Sequence, residues 1–236
     1  MSRPQRAARV LGGWLRHALR EPPSRTVPDL RDWVSTTFLG RPLLEAGMPW
    51  MTFAAMRWLR SYLRPTMSVF EWGSGGSTLF FAQRVARVVS VEYDAAWSAA
   101  VRSRLLAAGR TNVALHELPP EPGPADRIYL SSDPRFSGRN FRRYATSVLD
   151  HPDGAFDLVL VDGRARLGCV VSALPKLRPE GVLLLDNSER EDAIEACALL
   201  ADSGWSARHF SGPGPCSRWP VFWRTSAFSK RGSPPV

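Results

Sequence analysis

The stretch that decides the fold of this chain spans residues 69–78 and reads Val69-Phe70-Glu71-Trp72-Gly73-Ser74-Gly75-Gly76-Ser77-Thr78. An apolar run ends in an acidic residue, a glycine turn follows, and a new apolar periodicity begins after Thr78. This order predicts a β-strand, a tight turn and the start of an α-helix. Because Gly73 and Gly75 lack a side chain, the turn can adopt a positive φ and approach a ligand closely. Ser77 or Thr78 can cap the helix, and the free N–H groups at its N-terminus can contact a polar ligand.

Two acidic residues narrow the choice of ligand. A second predicted strand starts at Arg87 and ends in Glu92, twenty-one residues after Glu71. An acid at that place can accept hydrogen bonds from ribose hydroxyls. Glu71 directly precedes the glycine turn, where its carboxylate would repel the pyrophosphate of a dinucleotide. The same carboxylate would attract the ammonium and sulfonium groups of S-adenosylmethionine, which the sequence therefore favours.

The motif E-x-G-x-G, followed by an acid at the end of the second strand, resembles class I S-adenosylmethionine-dependent methyltransferases. The string at Phe70–Thr78 is similar to a bacterial branch of that family whose substrates are mostly unassigned. The resemblance continues through residues 161–164 and 185–187 and covers roughly residues 48–228. Ser77 replaces the third glycine of the broad pattern, as it does in this branch.

The resemblance implies S-adenosylmethionine as the cofactor. Acidic residues end several of the predicted strands, and ligands of such sheets bind beyond the carboxyl ends of the strands. The predicted cofactor-binding residues are Glu71, Gly73, Ser74, Gly75, Ser77, Thr78, Glu92, Tyr93, Glu117 and Asp162.

Strand and helix patterns alternate from residue 66 onward. The predicted strands are 67–72, 88–92, 112–117, 156–162 and 181–186, and the predicted helices are 77–86, 95–108, 140–149, 167–177 and 190–203. Short apolar runs between helices predict a parallel sheet covered on both faces. Two closing segments, 205–210 and 221–224, resemble the antiparallel ending of a methyltransferase sheet. We therefore expect the α/β class, with a Rossmann-like methyltransferase fold, a seven-stranded mostly parallel sheet and an antiparallel last strand. The resemblance places the Pro/Gly-rich loop 118–140 near the acceptor.

Residues 1–64 are predicted to form a basic helical extension of a methyltransferase domain at 65–236. Helix 5–20 is amphipathic and basic, so it either packs on its own domain or lies on an anionic membrane surface. Its apolar face comprises Val10, Leu11, Trp14, Leu15, Ala18 and Leu19, and its basic residues are Arg6, Arg9, Arg16, His17 and Arg20. A proline-rich break is expected at 21–28, and a second helix at 51–63.

The net charge of +9 is concentrated in residues 1–64, where eleven arginines and four acidic residues give +7. A basic chain can bind nucleic acid, anionic lipid or an acidic substrate. Confinement of the charge to one end argues against a basic active-site groove. The scattered cysteines Cys169, Cys197 and Cys216 indicate neither a disulfide framework nor a zinc site, which suits the cytoplasm. No apolar run reaches the ~18 residues of a membrane-spanning helix.

Asp162 and the pair Asp186-Asn187 end adjacent predicted strands. Since neighbouring strands lie ~4.8 Å apart, these side chains can converge on one cation. Oxygen ligands suit Mg²⁺, and the arrangement is similar to metal-dependent catechol-type O-methyltransferases, in which the ion binds the acceptor hydroxyl. The alternative is that Asp162 orders its own turn and Asp186-Asn187 caps the next helix.

Without a metal, Asp162 is the candidate general base for a hydroxyl acceptor. Arg164 and Arg166 either clamp an anionic acceptor or are solvated charges at a helix start. The predicted catalytic residues are Asp162, Arg164, Asp186 and Asn187. The predicted activity is transfer of a methyl group from S-adenosylmethionine to an oxygen, or less readily a nitrogen, of a small molecule or glycan.

Three other functions compete with this prediction. The high pI suggests a nucleic-acid methyltransferase. However, the sequence lacks the Asn-Pro-Pro-aromatic motif of nucleic-acid enzymes that methylate amino groups. The candidate cysteine nucleophile for cytosine methylation, Cys216, lies in a lone Pro-Cys dipeptide that more simply indicates a loop. A non-catalytic, membrane-associated module could retain the same fold, with peripheral membrane contact through residues 5–20. A nicotinamide oxidoreductase is disfavoured by Glu71 and Ser77.

Overall fold

A computed structural model describes residues 3–38, 40, 42–215 and 222–230. Within these ranges no helix has the length and apolarity needed to cross a membrane. Cys216 and Val221, which figure in the sequence predictions, lie outside the described residues.

Helices and strands alternate along most of the chain, as the sequence predicts. The helices are α1 (Arg3–Arg20), α2 (Pro23–Phe38), α3 (Leu43–Ala46), α4 (Phe53–Tyr62), α5 (Gly76–Ala82), α6 (Ala95–Ala107), α7 (Arg142–Thr146), α8 (Arg166–Ala173) and α9 (Glu191–Asp202). The strands are β1 (Ser68–Trp72), β2 (Arg87–Glu92), β3 (Val113–Glu117), β4 (Glu121–Pro122), β5 (Arg139–Asn140), β6 (Phe156–Val161), β7 (Leu177–Leu185), β8 (Trp205–Pro213) and β9 (Phe222–Lys230).

Seven strands form one sheet in the order β3-β2-β1-β6-β7-β9-β8. Within this sheet β3, β2, β1, β6 and β7 are parallel to one another, whereas β9 is antiparallel to both β7 and β8. The predicted fold class is therefore confirmed. The chain order reverses at β1, which lies between β2 and β6, and such a switch point opens a crevice beyond the carboxyl ends of the strands.

Alternating strand residues fill two apolar layers, one on each face of the sheet. Phe70 and Trp72 of β1 point to the layer that contains α7, α8 and α9. Val69 points to the opposite layer, which contains α4 and α5. Side chains alternate between the faces of a strand, so Glu71 shares the face of Val69 and lies beside the start of α5.

The N-terminal helices pack on the domain. Thr52 caps α4, and the buried Phe53, Met56 and Leu59 join the second apolar layer. Helix α1 approaches β9 so closely that a Cβ at Gly13 would lie 2.6 Å from the Phe222 ring. A buried pair, His17 Nε2 and Asp29 Oδ2 at 2.8 Å, joins α1 to α2.

Several element boundaries differ from the predictions. The break expected at 21–28 is wrong from Pro23 onward, because α2 begins there and continues through Pro28. Pro23 is tolerated because the first N–H of a helix needs no intrahelical acceptor. The loop 118–140 contains the short antiparallel pair β4–β5, and the helix expected at 140–149 divides into α7 and a 3₁₀ turn at Ser147–Asp150.

Candidate functional site

The glycine turn follows β1 and lies against the end of β6. Gly73 has a φ of +90°, and a side chain there would overlap the carbonyl oxygen of Asp162. Its N–H donates to the carbonyl of Val91 on β2 at 2.9 Å. Gly73 is therefore required both for its positive φ and for the close approach of two strand ends.

The turn is closed by a hydrogen bond from the N–H of Gly75 to Thr78 Oγ1 at 2.9 Å. Ser77 and Thr78 are both buried. Because the hydrogen bond from Gly75 ends on Thr78, Thr78 takes the expected capping role. Sequence reasoning missed Gly76, where a side chain would overlap the carbonyl oxygen of Met48. The Gly-Gly doublet was the available signal for this close contact between α5 and the segment before α4.

The carboxyl of Glu71 is fully buried beneath the turn. Ser90 Oγ donates to Glu71 Oε1 at 2.8 Å, and Ser90 Oγ in turn lies 2.7 Å from Ser74 Oγ. Among the described residues, Glu71 Oε2 has no hydrogen-bond partner. Burial raises the pKa of Glu71 to about 7, although hydrogen bonds from neighbouring hydroxyls oppose the shift. The site therefore holds a buried acid that a nearby cation would ionise.

Glu92 ends β2 beside the same turn. Its Oε2 accepts from the N–H of Ser74 at 3.0 Å, and its Oε1 accepts from the N–H groups of Tyr93 and Asp94 at 2.9 Å each. Burial raises the pKa of Glu92, and these backbone hydrogen bonds act in the opposite direction. Glu92 and the glycine turn therefore lie together at the carboxyl-end edge of the sheet. Their role in binding the cofactor stays a prediction.

Glu117 ends β3 directly opposite Glu92 in the strand register and is exposed. Trp97 of α6, which the sequence reasoning missed, lies against the glycine turn. Its Nε1 donates to the carbonyl of Ser74 at 2.7 Å, and its side chain remains substantially exposed. An exposed aromatic ring beside a bare backbone turn is suited to contact a ligand.

Asp162 and Asp186 lie side by side at the carboxyl ends of β6 and β7, because Val161 pairs with Leu185 immediately before them. Asp162 is partly exposed, whereas Asp186 is buried. The packed surroundings of Asp162 and the nearby Asp186 carboxyl raise its pKa well above the ordinary value, while Arg166 opposes the shift. The predicted convergence of the two acids is thus present.

The side chains of Asp186 and Asn187 are held by other protein groups. Asp186 Oδ1 accepts from Thr225 Oγ1 at 2.6 Å and from Trp223 Nε1 at 3.0 Å. Burial raises the pKa of Asp186 to about 6, and these two hydrogen bonds oppose the shift. Asn187 has a positive φ of +52°, and its Oδ1 accepts from Arg166 Nη2 at 3.2 Å.

The donor set at this corner does not support the predicted magnesium site. Arg166 is buried, and its guanidinium lies 3.0 Å from Asp192 Oδ2 as well as contacting Asn187. The positive charge of Arg166 thus occupies the position next to the acids. Over the described ranges, no group of three or more His, Cys, Asp or Glu residues could hold a metal ion.

Arg164 is engaged within the protein. Its Nη1 lies 3.3 Å from Asp133 Oδ2, its Nη2 donates to the hydroxyl of Tyr93 at 3.2 Å, and its guanidinium stacks over Phe136. These contacts anchor the loop 118–140 across the crevice. A role for Arg164 in binding the acceptor stays a prediction.

Tyr144 of α7 is a further residue that sequence reasoning missed. Its hydroxyl is buried without a partner among the described residues, and a side chain at Gly163 would overlap it. The indole of Trp72 donates to the carbonyl of Tyr144 at 2.8 Å. Trp72 of the glycine motif is therefore a core residue that positions α7 beside Asp162.

No model of a protein family matches the sequence, and no curated protein matches it. Solved structures do match. A putative O-methyltransferase from Klebsiella pneumoniae has a TM-score of 0.53 at 17% identity, over 86% of this chain and 96% of that one. An rRNA methylase from Streptococcus thermophilus has a TM-score of 0.52 at 14% identity, over 75% and 93% of the two chains.

A putative methyltransferase from Streptococcus mutans, solved in complex with SAH, has a TM-score of 0.50 at 11% identity. The match covers 74% of this chain and 95% of that one. At these identities the likeness concerns the fold, and the strand order with an antiparallel β9 agrees with it. The chain has the Rossmann-like methyltransferase fold.

Proposed function

We propose that this protein is an S-adenosylmethionine-dependent methyltransferase. The observation that carries the proposal is the glycine turn at the switch point of the sheet, with Glu71 beneath it and Glu92 beside it. A bare backbone turn at a helix start accommodates a polar ligand closely. The unpartnered Oε2 of Glu71 provides a buried acceptor next to that ligand. Two acids at the turn fit a cationic nucleoside better than a pyrophosphate, whose negative charge they would repel.

In this proposal the cofactor supplies an activated methyl group, and the protein holds the reactants and moves one proton. Glu92 binds the ribose hydroxyls, and Glu71 favours the positive charge of the cofactor. Asp162, at the end of β6, accepts the proton of an acceptor hydroxyl. Trp223 and Thr225 hold Asp186 in place beside Asp162. The packed surroundings and Asp186 raise the pKa of Asp162, and Arg166 lowers it. Positioning the acceptor in line with the methyl carbon supplies much of the rate.

The acceptor is proposed to be an oxygen of a small molecule or glycan. The pair of adjacent acids at the ends of β6 and β7 supports an acceptor that must lose a proton. A nucleic-acid acceptor would bring a strong dependence on salt, since phosphate contacts release counterions. Methylation of a free small molecule that is insensitive to salt would exclude that alternative.

Isothermal titration of the full chain with S-adenosylhomocysteine (SAH) tests the cofactor assignment. Wild type should bind, and Glu92→Ala should bind at least about tenfold more weakly, because the turn and the ribose lose a charged acceptor. Glu121→Ala, which removes an exposed acid of β4, serves as the matched control and should bind as wild type does. Absence of SAH binding by wild type, or equal binding by Glu92→Ala, would contradict the proposal.

A further inference from the structure

A cavity of about 290 Å³ lies between α1 and the adjoining ends of β8 and β9. Its walls include Arg16 and Arg20 of α1 and Trp223 and Arg224 of β9. This volume is near the lower end of the range for small-molecule sites. The cavity is separate from the glycine turn, so the proposed cofactor site does not account for it.

The cavity lies at the edge of the sheet where β6 and β7 have their carboxyl ends. Strand β9 begins at the edge where β7 ends, since Leu185 pairs with Ser226. Trp223 lines the cavity, and its Nε1 donates to Asp186 Oδ1 at 3.0 Å. Glu189, which also lines it, follows Asp186 by three residues. The Trp223 side chain thus lies in the cavity wall and contacts Asp186.

Within the described residues, the arginines of the cavity are not neutralised by acidic side chains. Across the described part of the chain, no carboxylate lies within 4.0 Å of the guanidinium nitrogens of Arg16, Arg20 or Arg224. The Nε of Arg224 is buried without a hydrogen-bond partner among the same residues. The cavity therefore presents three guanidinium groups that no carboxylate of the described residues neutralises.

The acids that line the cavity are engaged elsewhere. Glu21 pairs at 2.8 Å with Arg25, a residue that does not line the cavity. Glu189 Oε2 accepts from the backbone N–H of Arg224 at 2.9 Å. His17, a further wall residue, lies 2.8 Å from Asp29. Among the described wall residues, three guanidinium groups then stand against the carboxylate of Glu189, so the net charge that faces a ligand is positive.

We infer that this cavity binds a phosphate group carried by the methyl acceptor, and this inference rests on the proposed methyl transfer. Arginine binds phosphate through paired N–H donors. A dianion matches three unneutralised guanidinium groups better than a single carboxylate does. The group bound here would hold the acceptor beside Asp186 and Asp162. The substrate class is thus a phosphorylated small molecule or glycan.

The test uses isothermal titration of the full chain with inorganic phosphate, and separately with SAH. The variant Arg16→Ala/Arg20→Ala removes two exposed side chains of α1, and Arg31→Ala, an exposed arginine of α2 outside the cavity, is the matched control. Wild type and Arg31→Ala should bind phosphate equally. The double variant should bind phosphate about tenfold more weakly or worse, because two charge-assisted hydrogen-bonding groups are lost, while its SAH affinity stays unchanged.

The two proposals fail in different ways. Absence of phosphate binding by wild type, equal phosphate affinity in the double variant, or acetate binding as tightly as phosphate would overturn the cavity assignment, whatever SAH does. Absence of SAH binding would overturn the methyltransferase proposal. Glycerol phosphate and vesicles of phosphatidic acid separate the two sources of the anion. Tighter binding of glycerol phosphate in wild type than in the double variant supports the assignment and identifies a free phosphate ester as the source. A lipid source requires that the double variant lose more affinity for phosphatidic acid vesicles than for phosphatidylglycerol vesicles, because equal losses would report only contact of α1 with an anionic surface. Equal affinity for glycerol phosphate together with equal losses for the two lipids would overturn the assignment.

Discussion

At the scale of single residues, the protonation of Glu71 links the fold to the cofactor. The sequence places an acid before the glycine turn, and the structure buries its carboxyl with one oxygen unpartnered among the described residues. Burial raises its pKa to about 7. A bound cation stabilises the carboxylate and lowers that pKa. Binding of S-adenosylmethionine should therefore release a proton from Glu71.

The affinity for S-adenosylmethionine should rise with pH up to about 7 and level off above it, because the free protein no longer has to lose the proton. Each unit by which the cation lowers the pKa contributes about tenfold in affinity. Glu71→Gln should weaken binding at high pH and remove this rise. Titrations in buffers of different ionisation enthalpy measure the released proton, and an unchanged pH profile in Glu71→Gln would contradict the role.

At the scale of elements, helix α1 has two different faces. Gly13 and His17 pack against the domain, and the indole of Trp14 contacts Phe222 with ring centres 5.5 Å apart. The leucines that the sequence placed on the same apolar face as Trp14 instead face outward. Leu11, Leu15 and Leu19 are 69%, 63% and 77% exposed. Their spacing of four residues forms one apolar stripe, next to the arginines of α1.

This stripe predicts contact with an anionic membrane surface, because apolar and basic groups on one helix bind such surfaces together. In flotation assays, wild type should bind vesicles that contain phosphatidylglycerol and should not bind neutral phosphatidylcholine vesicles. Leu11→Ser/Leu15→Ser/Leu19→Ser should reduce binding at least about tenfold. Leu106→Ser, an exposed leucine of α6 that is 74% accessible, is the control. Equal flotation of the triple variant would show that the stripe does not bind the membrane.

At the scale of the whole molecule, local patterns predicted the sheet but not the packing of the extension on it. The alternation of apolar runs and helical periods predicted which segments are strands and which are helices from residue 66 onward, whereas the antiparallel ending was implied by the family resemblance. Acids at strand ends were sufficient to place Glu92, Asp162 and Asp186 at one edge. The contact of Gly13 with Phe222 joins opposite ends of the chain. No local periodicity encodes such a contact, so the cavity behind α1 could not be predicted.

Two details of the site were hidden for other physical reasons. Tyr144 lies in a short helix directly after two arginines, Arg142 and Arg143, and its burial depends on the absence of a side chain at Gly163. The metal prediction followed from carboxylates alone, whereas Arg166, which begins α8, turns inward and contacts Asn187. A basic residue at a helix start is ordinarily solvated, so the sequence alone did not decide between a solvated Arg166 and an engaged one.

The central claim is that the glycine turn and Glu92 bind a methyl donor at the switch point of the sheet. A crystal structure of the full chain grown with SAH tests it most directly. The account predicts SAH along Gly73–Gly75, with its ribose hydroxyls on the Glu92 carboxylate and its amino group on the side of Glu71. A structure in which saturating SAH is absent from this crevice, or is bound elsewhere with Glu92 still accepting only from its own loop, would contradict the account.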